Sequence, residues 1–307
     1  MKTSIVVIML FTVFAFYGCK NKAALNDNGI PDKLVIGVFG GENPGSTQKI
    51  WEPIRVCMEK EFGLPVEVIT TSDYTAVIEA IHTKKIHIAE LGPFSYIIAS
   101  QRHDIEPFAV LGVRGNPLMY HSTLFVNTSL GLNSMADVKA RAKQLTLCFT
   151  DPASTSGHLI PRAYLNSIGL DPDTAFKETM FAGSHAASVL TVAAGKVDVG
   201  CATDEYGVDL FEKRGLIKKG KLKILWVSDP IVGSPFVIRK DINKTFAKKI
   251  QRFYFNLAKD HPLIFNNYLK VYYAQHPADL TYIAIQDSMF NGIRRIASNV
   301  KDLKLVN

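Results

Sequence analysis

Cysteine is scarce. The 307 residues hold four, and no two stand as C-x-x-C, the spacing that a zinc ribbon or a redox dithiol needs. No apolar run reaches the ~20 residues of a membrane-spanning helix; the run Ile5 to Phe16 is only about a dozen long. There is no Gly-rich nucleotide loop, no metal-ligand cluster and no nucleophile set beside a base, so no cofactor, no metal site and no catalysis are expected. The formal charge of +7 raises nucleic acid as a partner. The basic residues are scattered, however, and their one cluster, Lys213 to Lys223, reads as solvated surface. Without a basic stripe or a recognised module, nucleic acid is not an expected partner. A weak positive field would instead steer small anions.

What is present begins at the N-terminus. Lys2, the apolar run and Gly18-Cys19 followed by polar Lys20-Asn21-Lys22 have the layout of a signal peptide. The small residue before Cys19 resembles a bacterial lipobox, which implies lipidation of Cys19, cleavage after Gly18 and an extracytoplasmic, membrane-anchored address. Residues 20–32, rich in Asn, Asp, Lys and Gly, read as a free tether. The body of about 275 residues suits two domains.

Along that body, Leu34–Val38, Val66–Thr70 and Ile86–Ala89 read as strands. The first is apolar on both faces, as a buried parallel strand is. Lys49–Phe62 and Tyr74–Ile81 carry helical spacing. The alternation recurs: strands at His121–Asn127, Leu145–Phe149, Thr179–Ala182 and Val197–Cys201, with helices over Met135–Ala142 and from Ser156 and Ser188. Strands Leu222–Val227 and Phe236–Arg239 close the pattern, and the tail from Thr245 reads as mainly helical. Two doubly wound α/β units suggest a two-lobed clamp, with the ligand outside the carboxyl ends of the parallel strands. Cys148 and Cys201 end strand-like runs and read as buried free thiols.

The sharpest motif is Asp151-Pro-Ala-Ser-Thr-Ser-Gly-His-Leu-Ile-Pro161. It follows a strand and opens a helix, with Ser154 or Thr155 as the cap. Backbone N–H groups and three hydroxyls at a helix N-terminus make an anion site without Arg or Lys. At this run the sequence resembles the PhnD family, the binding proteins of phosphonate and phosphite importers. Ala182-Gly-Ser-His185, Lys196-Val-Asp-Val199 leading to Glu205, and Ser72–Glu79 running on to Ile88–Gly92 carry the likeness further. It covers roughly Leu34 to Lys240.

The resemblance implies a type II periplasmic-binding fold, each lobe a doubly wound sheet with flanking helices. Residues 33–125 with 232–307 would form one lobe and 126–231 the other. It implies a monomer that passes a phosphonate, phosphite or phosphate to an ABC permease. Ser154, Thr155 and Ser156 would grip the phosphorus oxygens, with N–H groups near Ser156 and Gly157, and His185 would add a donor. Tyr74 and Tyr120 would reach in from the other lobe, and Glu205 would contact the substituent on phosphorus. Ser234 stands where the family's aminophosphonate binders place an Asp. Glu90, at a strand end, faces the cleft at most, and His82, His87, His103, His121 and His158 read as surface or core residues. The competing readings are a sensor module for a membrane kinase and a secreted phosphoryl hydrolase using the Ser run and His185. The hydrolase lacks an evident acid to orient the His and any metal ligands.

Overall fold

The computed structural model describes residues 23–40, 44–71, 73–102, 105–204, 207–273, 276–300 and 303. The signal segment, Cys19 and Glu205 lie outside them. The chain opens with β1 (Leu34–Phe39), α1 (Pro44–Phe62), β2 (Val66–Thr71), α2 (Tyr74–His82), β3 (Ile88–Glu90), α3 (Pro93–Arg102) and β4 (Ile105–Val113). Short β5 (Asn116–Pro117) and β6 (Met119–Tyr120) lead into β7 (Ser122–Asn127), α4 (Met135–Arg141) and β8 (Thr146–Phe149). A π-helical turn (Thr155–Leu159) runs into α5 (Ile160–Ser167), followed by β9 (Glu178–Phe181), α6 (His185–Ala193), β10 (Val199–Thr203) and α7 (Val208–Lys213). The remainder is β11 (Leu222–Val227), β12 (Ile231–Val232), β13 (Phe236–Arg239), α8 (Lys244–Asp260), α9 (Pro262–Tyr272), β14 (Leu280–Ile283) and α10 (Asn291–Asn299).

Among the described residues these strands form two main sheets, as the two-lobed reading expects. The larger runs β14-β4-β13-β3-β1-β2, with β5 on β4, and the smaller runs β11-β7-β10-β8-β9. β1 is parallel to β2 and β3. Leu34, Ile36 and Val38 face a core shared with Trp51 and Met58 of α1 and Tyr254 of α8, while Val35 faces α2 and α3. Both faces are covered, which is why β1 reads as a continuous apolar run. In the second sheet Leu147 and Phe149 pack under α4 and α5, and Cys148 faces α6 and α7 with Phe125. Gly200 is the register partner of Cys148. Neighbouring Cys201 therefore projects to the opposite face, and the two thiols cannot bridge. Both are free and buried, and burial pushes the Cys148 thiol up to about 11.

Three expectations shift. β7 pairs with β10 and β11 along its whole length, so it belongs to the second sheet. The crossing between lobes falls between Tyr120 and Ser122, not after residue 125. The return runs through β12, which pairs with β6 as a two-stranded ribbon. The segment read as a tether is docked from Ala23 onward. Ala23 N–H donates to the Lys84 carbonyl (2.8 Å) and Asn243 N–H to that of Gly29 (2.8 Å). Asn26 Oδ1 accepts from the amides of Asn28 (3.0 Å) and Ile30 (3.1 Å). Leu25 and Ile30 reach the core, which supplies the apolar contact that the composition alone does not suggest. The helical tail is interrupted by β14, which extends the first sheet antiparallel to β4.

Candidate functional site

Five chain turns converge at the carboxyl ends of β1 and β3. They enclose a cavity of about 80 Å³, room for a small ion and a few waters rather than a nucleotide. Phe39 and Glu90, the last residues of β1 and β3, line it. So do Thr47 in the first turn of α1, Tyr74 at the start of α2, Leu91 and Gly92 just before α3, and His185 at the start of α6. Ser234 and Tyr272 complete the wall. No Lys or Arg is among these lining residues. Residues at the starts of four helices (α1, α2, α3 and α6) line or flank one small space, and each helix start brings partial positive charge toward it.

Local chemistry sets these starts. Asp73 caps α2, its Oδ1 accepting from Ala76 N (2.7 Å). Ser184 caps α6, its Oγ accepting from Ala187 N (3.0 Å). Helix α6 therefore begins at His185, three residues earlier than its spacing suggests. The Tyr74 ring lies stacked on Phe39, centroids 4.0 Å apart. His185 is buried, and its Nδ1 accepts from Thr203 N (3.2 Å). Burial holds the ring's pKa down to about 4, so at neutral pH the imidazole is uncharged and its proton sits on Nε2. The ring is then a fixed neutral donor. Glu90 has no basic side chain against it among the described residues, and burial alone raises its carboxyl to about 7.

The S-T-S turn abuts this cavity but does not line it. Ser154, Thr155, Ser156 and Gly157 are all buried. Ser154 is the cap, its Oγ accepting from Gly157 N (3.0 Å), so that amide is already engaged. Thr155 Oγ1 accepts from Phe94 N of the first lobe (2.9 Å) and retains its own proton for donation. A Cβ on Gly92 would lie 3.4 Å from that same oxygen, which puts the turn directly behind Gly92. The Ser156 carbonyl accepts from Ser122 Oγ (2.6 Å). Two more bonds tie the turn across the lobes: Ser95 Oγ donates to the Ala153 carbonyl (2.8 Å), and the Tyr74 amide donates to Asp151. The lobes are thus in contact at the turn.

His158, read as a core or surface residue, supports the turn from behind. Its Nδ1 donates to the Pro152 carbonyl (2.7 Å), and its Nε2 accepts from Arg162 Nε (2.9 Å). Arg162 pairs with Asp173 through two bonds of 2.8 and 3.0 Å and lies over the Phe149 ring. Burial lowers the His158 pKa to about 4, consistent with one neutral tautomer held at both nitrogens.

Of the expected site residues, Tyr74, His185 and Ser234 line the cavity, and the S-T-S turn stands beside it. Tyr120 does not reach it: it is buried in the β6–β12 ribbon, packed with Ile231 and Val232. Glu205 lies outside the described residues. Phe39, Thr47, Leu91 and Tyr272 are additions. Phe39 was within reach of the strand-end rule, while Tyr272 comes from the helical tail, where no motif marks it.

The family model for the periplasmic substrate-binding protein of the phosphonate ABC transporter matches residues 36–280. The Phosphonates-binding periplasmic protein of Escherichia coli is 33% identical over 227 residues, which is 74% of this chain and 66%, just under two thirds, of that relative. The crystal structure of a binding protein component of an ABC phosphonate transporter from Pseudomonas aeruginosa superposes with a TM-score of 0.76 at 28% identity, covering 86% of this chain and 85% of that one. PhnD1 from Prochlorococcus marinus, solved in complex with methylphosphonate, gives a TM-score of 0.72 at 22% identity over 87% and 97% of the two chains.

Proposed function

The chain belongs to the phosphonate-binding family of periplasmic ABC-transporter substrate-binding proteins, and from that premise we propose that it captures a small phosphorus oxyanion between its lobes and delivers it to a membrane permease. The observation that carries this reading is the cavity itself, walled by the starts of four helices and a neutral His and, among the described residues, lined by no cationic side chain. Such a wall neutralises an anion with fixed N–H dipoles and needs no counter-ion. An importer benefits, because an ion held by dipoles is released when the lobes part, whereas one held by Arg forks is gripped more tightly. The β6–β12 ribbon and the crossing beside it are the hinge about which the lobes close.

His185 donates from Nε2 to a ligand oxygen, and Thr155 and Ser156 turn their hydroxyls toward it once a ligand displaces the closest interlobe contacts. His185→Ala removes one hydrogen bond to a charged group, worth ~1.5–3 kcal/mol. Methylphosphonate affinity is expected to fall roughly ten- to hundredfold. Calorimetric titration of the variant with an unchanged dissociation constant would remove His185 from the site.

The family is one of transport components, its relatives are periplasmic, and a binding role without catalysis is our reading for this chain. The anchor on Cys19 is our further reading, motivated by Gly18-Cys19 at the end of the apolar run. Wild type is expected in the detergent phase on Triton X-114 partitioning and Cys19→Ser in the aqueous phase. Both in the aqueous phase would dismiss the anchor.

A further inference from the structure

Glu90 is the one carboxyl among the described lining residues, and it sits in a cavity otherwise arranged for an anion. It ends β3, with Phe236 of β13 as its register partner. The titratable groups acting on or facing it are Tyr254 of α8, Tyr268 and Tyr272 of α9 and Tyr282 of β14, together with Tyr74 of α2 and His185 of α6 across the cavity. The first four phenols are kept un-ionised by burial and by the Glu90 charge, and His185 is neutral. Nothing in this set neutralises a carboxylate.

We propose that Glu90 determines which charge state the cavity accepts: it meets the bound phosphorus oxyanion as a neutral carboxylic acid, its O–H donating to a ligand oxygen, so that binding of the dianion takes up one proton. This rests on the anion-binding reading above. Two negative groups pressed together in so small a space repel strongly at low dielectric. Protonating a carboxyl that titrates at about 7 costs only roughly fourfold in affinity at pH 7.5. The proton therefore goes on, and what would be a repulsion becomes a hydrogen bond. Affinity for the dianion is then full below pH 7 and falls as pH rises, because the free carboxylate must regain its proton on binding.

The test is calorimetric titration of wild type and Glu90→Gln with methylphosphonate at pH 6 and pH 8.5. The Gln amide supplies a donor that needs no proton, and the ratio of the two affinities cancels the ligand's own titration. That ratio is expected to move about 30-fold against wild type between the two pH values. A ratio independent of pH overturns the inference. If Glu90→Gln does not fold, infrared difference spectra of wild type at pH 8.5 decide: methylphosphonate must bring up the C=O stretch of a neutral carboxylic acid, and its absence counts against the proposal. Failure of wild type to bind methylphosphonate at either pH sinks the phosphonate reading and this inference with it. If instead 2-aminoethylphosphonate binds wild type more tightly than methylphosphonate, and Glu90→Gln abolishes only that advantage, Glu90 is a counter-ion for an ammonium. The proton-donor role then falls while the anion site stands.

Discussion

Gly157→Ala is expected to abolish most ligand binding and to lower the melting temperature. A Cβ at this position would lie 1.8 Å from Thr150 Oγ1, 2.5 Å from its Cγ2 and 2.7 Å from its Cβ. The backbone angle is not the difficulty, since Gly157 is absent from the positive-φ positions; the obstacle is space. Thr150 is fully buried, and its short branched side chain has nowhere to turn, so the turn must move. That turn is fastened by Thr150 N donating to the Gly157 carbonyl (2.9 Å) and by Gly157 N donating to Ser154 Oγ (3.0 Å). Displacing it disturbs the Ser154 cap and the Thr155 and Ser156 hydroxyls together. Overpacking of this kind costs ~1–3 kcal/mol of stability, a fall of ~2–4 °C per kcal/mol for a chain of this size. Loss of two charge-directed hydrogen bonds would weaken methylphosphonate by roughly a hundredfold or more. Adding Thr150→Gly, which removes all three clashing atoms, is expected to recover part of both. Unchanged melting and unchanged affinity in Gly157→Ala would mean that the turn is not the rigid element described.

Discrimination against an amine-bearing ligand is the second large effect. A phosphonate with an ammonium tail needs carboxylates around that tail, and Ser234 lines the cavity where the resemblance to aminophosphonate binders implies an Asp. An ammonium buried with one partner missing costs ~3–5 kcal/mol. Glu90 does not make up the deficit if it sits in the cavity as a neutral acid. Methylphosphonate is therefore expected to bind more tightly than 2-aminoethylphosphonate by two orders of magnitude or more, and Ser234→Asp should narrow or reverse the gap. Competition titrations of the two ligands against both proteins measure it. Tighter binding of the amine by wild type would refute the argument from Ser234.

Much of the architecture is written in local patterns. β1 reads as a parallel strand because both its faces are buried, and the 151–161 run reads as a helix-start anion turn because Pro, Gly and three hydroxyls have few other uses together. β4 is harder to see. Its nine residues include Pro107 and Gly112, and the register shifts between Phe236 and Val237 where it meets β13. A strand that tolerates Pro at such an irregularity loses its period-2 signature. The sheet to which β7 belongs is hard to read for a related reason: β7 is buried throughout and carries no mark of which sheet it joins, a question settled by antiparallel pairing with distant β10. At the site, the His185 and Tyr74 motifs pointed to residues that do line the cavity. Tyr120 rested on its position in the chain, and the ribbon turns it into the core instead. Glu90 and Tyr272 depend on which strand end and which tail helix meet across the cleft, and no local pattern encodes that.

Whether a phosphorus oxyanion sits among the helix N-termini between the lobes is decided by a crystal structure of the protein grown with methylphosphonate. The phosphorus atom is expected in the cavity bounded by Tyr74, Glu90 and His185, with His185 Nε2 and at least one hydroxyl of the S-T-S turn within hydrogen-bonding distance of its oxygens. An occupied site elsewhere on the molecule, with this cavity holding only water, would contradict it.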